Sequence, residues 1–248
     1  IINLNSIGPY GEKILNKRKT IIVDLMDLPT CSHAFKLTEV DYHALKKADA
    51  VFAWSKAIEI YLRRLGIKTF YLPYGLDLEL FDPIKIGSKI FFENYPQAEG
   101  KIVIGYSGGM WFRNGKDVLG VEKILKAYKI IEETYKDDVM LVIQTSDKVL
   151  EIANKLKIKN YIYVKPTKWN DPLRQSLLHS IDIFVALATR YPPVYLAERS
   201  TYFQAMSRGK PIVVERTPGS AGLFRDGETA LMARLDDVND LAAKIALL

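Results

Sequence analysis

Along the chain, short apolar runs rich in β-branched residues alternate with segments whose apolar positions recur every three to four residues. That alternation predicts a parallel α/β architecture with helices on both faces of each sheet. Strands are predicted at 20–25, 50–54, 68–72, 101–106, 139–145, 161–164, 181–187, 211–214 and 230–233. A helix is predicted over 38–48, with Thr38 as N-cap and Asp41 in its first turn, and another over 56–65, stopped by Gly66. A longer one over 117–135 aligns Val118, Val121, Leu125, Tyr128, Ile131 and Tyr135 on one stripe. His43 and His179 fall in helical stretches and read as structural.

The alternation breaks at Tyr74–Pro83, where a glycine, acids and a proline interrupt it, and no clean period returns before Gly100. This predicts a crossover between two domains, 1–82 and 83–248. The chain opens at Ile1 without a methionine and ends at Leu248 inside an amphipathic stretch with no stop signal, so both ends read as cut.

Composition adds exclusions. With 48% hydrophobic and 26% charged residues over 248 positions, the chain is that of an ordinary globular protein. No apolar run is long enough to span a bilayer and no leader pattern opens the chain, which makes the cytoplasm the expected compartment. The single cysteine, Cys31, excludes an internal disulfide and a cysteine-based zinc site, and no metal is expected. A net charge of +6 suits an anionic partner. The basic residues are spread along helices without interleaved aromatics, so nucleic acid is not the expected one.

Two stretches carry candidate chemistry. Ile104–Gly115 runs from a strand into a glycine-rich turn before a long helix, and Gly108 and Gly109 would let backbone amides approach a diphosphate that has no room beside a Cβ. A plain tight connection between strand and helix is the alternative. The spacing matches neither the dinucleotide fingerprint nor the nucleoside triphosphatase loop. Arg113 and Lys116 just beyond could neutralise the phosphates, or could be solvated loop charges. The second stretch, Glu198–Val214, predicts a short helix capped by Ser200 or Thr201 and ended by Arg208-Gly209, its N-terminus at the same sheet edge as the glycine turn.

At these residues the chain resembles the retaining GT-B glycosyltransferases of family 4. Tyr71-Leu-Pro-Tyr-Gly-Leu-Asp-Leu-Glu-Leu-Phe81 is similar to that family's inter-domain segment, and the run from Ala48 to Ser55 to the strand before it. Ile104–Gly109 resembles the opening of its donor domain, Tyr202–Val213 its "EaMa.GkPvv" helix and strand, and Gly219–Asp237 its tail. The resemblance implies two Rossmann-like domains, an incomplete acceptor-side one (1–82) and a nucleotide-sugar-binding one (83–248) whose last helix is truncated. It places the donor diphosphate at Gly108, Gly109 and the amides of Ser200 and Thr201, with Arg113 and Lys116 as counter-charges, and the base near Lys165 and Thr167. Gln204 stands where the family has a ribose-binding glutamate, and an amide keeps only one acceptor oxygen. The family's earlier glutamate aligns with Leu196, two positions from Glu198.

Asp24 and Asp27, with His33 nearby, face the acceptor by analogy, and with Glu198 they are the candidate catalytic carboxylates; loop capping is the alternative for the two aspartates. The implied reaction is metal-independent transfer of a hexosyl group from a nucleoside-diphosphate sugar to a hydroxyl, with retention. No cofactor is expected beyond the donor substrate. The expected partners are the nucleotide sugar and a glycan or lipid-linked acceptor, with peripheral contact at the inner face of the cell membrane. A GT-B-like binding protein without turnover is the alternative suggested by Gln204 and Leu196, and a sugar-nucleotide epimerase is a third reading.

Overall fold

The computed structural model describes residues 2–3, 20–28, 36–79 and 87–248. Pro29, Cys31, His33 and the 80–86 part of the expected crossover lie outside the described residues. The chain divides into two compact units. The first comprises 1–75, 190–199 and 217–224, and the second 76–189, 200–216 and 225–248.

The first unit holds a parallel sheet of β1 (Ile2–Asn3), β2 (Ile22–Leu25), β3 (Ala50–Ala53) and β4 (Thr69–Tyr71), paired in that order. Two helices connect the strands, α1 (Glu39–Lys47) and α2 (Lys56–Arg64). Thr38 caps α1 by accepting the Asp41 N–H at 3.0 Å, as the sequence predicts, and Gly66 leaves α2 with φ 75°. The buried residues of β2 and β3 alternate with less buried ones, and Val23, Leu25, Val51 and Ala53 pack with Leu45, Ile58 and Leu62 of the helices. Leu196, from a segment distant in sequence, joins that core.

The second unit begins with α3 (Lys89–Asn94) and builds one six-stranded sheet from β5 (Ile102–Ser107), β8 (Val139–Gln144), β9 (Tyr161–Val164), β10 (Ile183–Ala186), β11 (Ile212–Glu215) and β12 (Leu231–Ala233). A separate hairpin, β6 (Phe112–Arg113) and β7 (Lys116–Asp117), stands between β5 and α4 (Val121–Tyr135). α5 (Lys148–Lys155) and α6 (Pro172–Ser180) follow β8 and β9. α7 (Pro192–Tyr195) returns to the first unit, α8 (Ser200–Met206) joins β10 to β11, α9 (Pro218–Leu223) belongs again to the first unit, and α10 (Val238–Ala246) closes the second.

All strand pairs of this sheet are parallel, in the order β12-β11-β10-β5-β8-β9. β8, β10 and β11 are buried at every position, the reason they read as unbroken apolar runs. Val121, Leu125, Tyr128 and Ile131 of the expected stripe are buried, whereas Tyr135 is exposed. The helix starts at Val121, later than the pattern suggests, because the hairpin occupies the preceding residues.

Candidate functional site

From β5 the chain moves outward to β8 and β9, then crosses back to β10 and continues to β11 and β12 on the other side. Strand order therefore reverses between β5 and β10, and the space beyond the carboxyl ends of strands at such a reversal is where open α/β sheets bind ligands. Gly108 and Gly109 follow the end of β5 directly. α8 returns the chain from the β10 side to β11, so its N-terminus, with Ser200 and Thr201, lies at the same carboxyl edge. Ser200 is the first helical residue, where the sequence reading made it a cap.

The glycines answer first to their own neighbours. A Cβ on Gly108 would stand 2.8 Å from the Tyr106 hydroxyl, and one on Gly109 2.7 Å from Trp111 Nε1. The Gly108 N–H donates to the Gln144 carbonyl at 3.1 Å, and the Tyr106 hydroxyl donates to the Gly109 carbonyl at 2.8 Å. The turn is thus built to seat two aromatic rings. At the start of α4, the helix that follows this turn, the Asp117 carboxylate accepts the N–H groups of Leu119 at 2.9 Å and Val121 at 2.5 Å and so occupies the helix's positive end.

Arg113 and Lys116 stand on the hairpin that the sequence reading missed. Asn114 and Gly115 both have positive φ, 51° and 73°, the signature of a two-residue type I′ turn. Across the ladder Arg113 pairs with Lys116, so two exposed cations project from one face. Like charges in that position repel each other, and an anion between them would relieve the repulsion.

Gln204 is fully buried in α8, and neither its side-chain oxygen nor its nitrogen has a hydrogen-bond partner. An unsatisfied buried amide is unfavourable by about 1–3 kcal/mol per group, so this one suits a ligand that both donates and accepts. Thr167 Oγ1 is likewise buried without a partner, in the turn after β9, and Lys165 next to it is exposed.

A buried polar seam underlies this edge. Gln144 Oε1 accepts from Ser107 Oγ at 2.9 Å and from Arg174 Nη1 at 2.7 Å, while its amide donates to the Lys165 carbonyl at 3.4 Å. The Arg174 guanidinium also lies 4.6 Å from the centre of the Trp169 ring. Arg208 donates to Gln175 Oε1 at 2.5 Å, and burial together with the charge of Arg174 lowers its pKa to about 10. Beside them, Lys123 Nζ bonds both oxygens of Glu215 at 2.6 and 2.7 Å, the Ala188 carbonyl at 2.5 Å and Asp236 at 2.9 Å. Glu215 in turn accepts the N–H groups of Ala188 at 2.8 Å and Asp236 at 3.0 Å. This clasp ties the ends of β10, β11 and β12 to the first turn of α4. None of the clasp's partners is close in sequence, so local pattern gives no signal for it.

The three candidate carboxylates all lie in the first unit. Asp24 Oδ1 accepts from Trp54 Nε1 at 2.6 Å. Burial pushes the Asp27 carboxyl up to about 6, against the opposing pull of the Arg199 charge. Glu198, expected as a catalytic group, is buried and takes the Lys56 N–H at 2.9 Å and the Tyr71 hydroxyl at 2.7 Å. It thereby caps α2, and burial raises its pKa although both bonds oppose the rise. Ser55 completes that cap, accepting from the Ala57 N–H at 3.2 Å and donating to the Leu196 carbonyl.

The fold is that of the GT-B class, as the likeness to solved glycosyltransferases shows. HepE of Anabaena in complex with UDP is similar over 96% of this chain and 65% of its own, with TM-score 0.76 and 15% identity. Sucrose-phosphate synthase of Thermosynechococcus elongatus is similar over 95% and 60%, with TM-score 0.72 and 18% identity. A glycosyltransferase of Rickettsia africae is similar over 99% and 73%, with TM-score 0.70 and 14% identity. The chain thus spans 65% and 60% of the length of the first two. No curated protein matches it in sequence. The family model of the glycosyl transferases group 1 matches residues 101–248, and the chain belongs to that family. Among the described residues, no helix is long and apolar enough to cross a membrane.

Proposed function

We propose that the protein transfers a hexosyl group from a nucleoside-diphosphate sugar to the hydroxyl of a glycan or lipid-linked glycan, with retention and without a metal. The second unit is the donor domain in this reading, and the first belongs to the acceptor side. The observation that carries it is the Arg113–Lys116 pair, two cations held opposite each other on a hairpin that leaves the carboxyl end of β5 beside the strand-order reversal. Departure of a diphosphate leaves negative charge that such fixed cations and the amides of Ser200 and Thr201 stabilise. Gln204 supplies an unspent donor and acceptor for the ribose hydroxyls, and the turn at Lys165 and Thr167 receives the base.

Asp27 is assigned to the acceptor hydroxyl. A carboxyl with a pKa near 6 can hold or release a proton around neutrality, which Asp24, fixed by Trp54, complements as an orienting group. The net charge of +6 supports peripheral contact with an anionic membrane face on the cytoplasmic side, where lipid-linked acceptors lie. Turnover of a nucleotide sugar by the intact gene product, with the anomeric configuration of the product read by NMR, tests the proposal. Hydrolysis or transfer with inversion, or no binding of any nucleoside diphosphate, would overturn it. A second reading, binding without turnover, is favoured by two observations: Glu198 is engaged in capping α2, and Gln204 carries no charge.

A further inference from the structure

We infer that Trp111 is the platform on which the hexose ring of the donor stacks, an assignment that rests on the donor-site reading above. Along the hairpin, side chains alternate between faces, so Trp111 shares a face with Arg113 and Lys116 while Phe112 points to the other. The Val118 N–H donates to the Trp111 carbonyl at 2.8 Å, which extends the ladder by one pair and fixes Trp111 in that alternation. Phe112 is turned toward α5, where Lys148 Nζ sits 4.3 Å from its ring centre. Trp111 remains 59% exposed.

An exposed indole on a loose loop would mean little, but the backbone that carries this one is fixed on both strands of the hairpin. Gly109 lacks a side chain where Trp111 Nε1 passes, the I′ turn at Asn114-Gly115 sets the hairpin's twist, and Asp117 fixes its exit to α4. Thr189, beyond the end of β10, donates its hydroxyl to the Val118 carbonyl at 2.6 Å and ties the hairpin base to the neighbouring strand's loop. The backbone is therefore preorganised, and ordering of the loop adds little to the cost of binding. Arg113 stands two residues, about 6.8 Å of strand, from Trp111 on the same face, so a diphosphate neutralised there would have Trp111 as its neighbour. The group attached to the distal phosphate is the sugar. A pyranose presents a face of C–H bonds, and the negative face of an indole attracts them.

The test is calorimetry of the chain with UDP and GDP and with UDP-glucose, UDP-galactose, UDP-N-acetylglucosamine and GDP-mannose, for wild type, Trp111→Ala and Trp111→Phe. The inference expects Trp111→Ala to weaken at least one nucleotide sugar fivefold or more while its free diphosphate changes less than twofold, and Trp111→Phe to retain most of the affinity. In a Trp54→Phe/Trp169→Phe background, the same nucleotide sugar should shield the remaining indole from iodide quenching more than its diphosphate does. Equal weakening of sugar nucleotide and diphosphate, or no weakening of either, overturns the assignment. If wild type binds no diphosphate at all, the donor-site reading fails first and the assignment falls with it.

Discussion

Arg113 and Lys116 are register partners in a hairpin closed by two residues, so the strand geometry itself holds two positive charges on one face at the end of β5. If that face receives the donor diphosphate, Arg113→Ala or Lys116→Ala removes a charge-assisted hydrogen bond. Such a bond contributes about 1.5–3 kcal/mol, or roughly 10- to 100-fold in affinity. Calorimetry should show that loss for UDP or GDP and almost none for uridine or guanosine. Equal losses for nucleotide and nucleoside would make the pair structural.

Gln204 sets a sharper expectation. Its unpartnered amide can take one ribose hydroxyl as acceptor and the other as donor, whereas a glutamate accepts from both. Gln204→Glu should then tighten a nucleoside diphosphate by about 0.5–2 kcal/mol, the margin between charged and neutral hydrogen bonds, and Gln204→Ala should weaken it. Three indistinguishable dissociation constants would remove Gln204 from the ribose site.

Asp27 links the first unit to pH. Its folded pKa of about 6 exceeds the ordinary 3.8, so the stability it contributes is fully present below about pH 3.8 and is lost as pH rises through 6. With solvent screening the loss amounts to about 1–3 kcal/mol. Asp27→Asn should therefore raise the melting temperature at pH 8 and leave it nearly unchanged at pH 4. A variant equally affected at both values would show that Asp27 does not titrate in this window. If the carboxylate serves the acceptor, kcat/KM of the intact enzyme falls as pH drops below about 6.

Lys123 and Glu215 form a buried ion pair at the carboxyl edge of the second unit's sheet, Glu215 being 1% exposed. Removing one partner of such a pair strands the other charge, at a cost of about 3–5 kcal/mol. Lys123→Met should lower the unfolding free energy by that order in a urea titration, and Glu215→Gln by less, because Asp236 remains to pair Lys123. A change under ~1 kcal/mol for Lys123→Met would mean that the clasp is solvated in solution.

Much of the fold is legible in the sequence because parallel strands buried on both faces must be apolar throughout. Val139–Gln144 and Ile212–Glu215 are such strands up to their polar last residues, each found within a residue or so of its expected place. The hairpin escaped notice for the opposite reason: its strands are two residues long and exposed, without an apolar alternation to mark them. The Asn114-Gly115 pair was the available signal. Glu198 illustrates a different limit. Its partner Lys56 is 142 positions away, and no local pattern distinguishes a carboxylate that caps a distant helix from one in an active site. Gln204 occupies a recognisable motif, but only the structure shows its amide buried and unspent.

On this reading, the carboxyl edge of the second unit, at β5 and α8, binds a nucleoside diphosphate. Amide chemical-shift mapping on the nitrogen-15-labelled chain titrated with UDP and with GDP tests it most directly. Saturable shifts are expected at Gly109, Arg113, Lys116, Thr201 and Gln204 for at least one of the two, with residues 50–64 of the first unit unmoved. Shifts confined to the first unit, or none with either nucleotide at millimolar concentration, would contradict it.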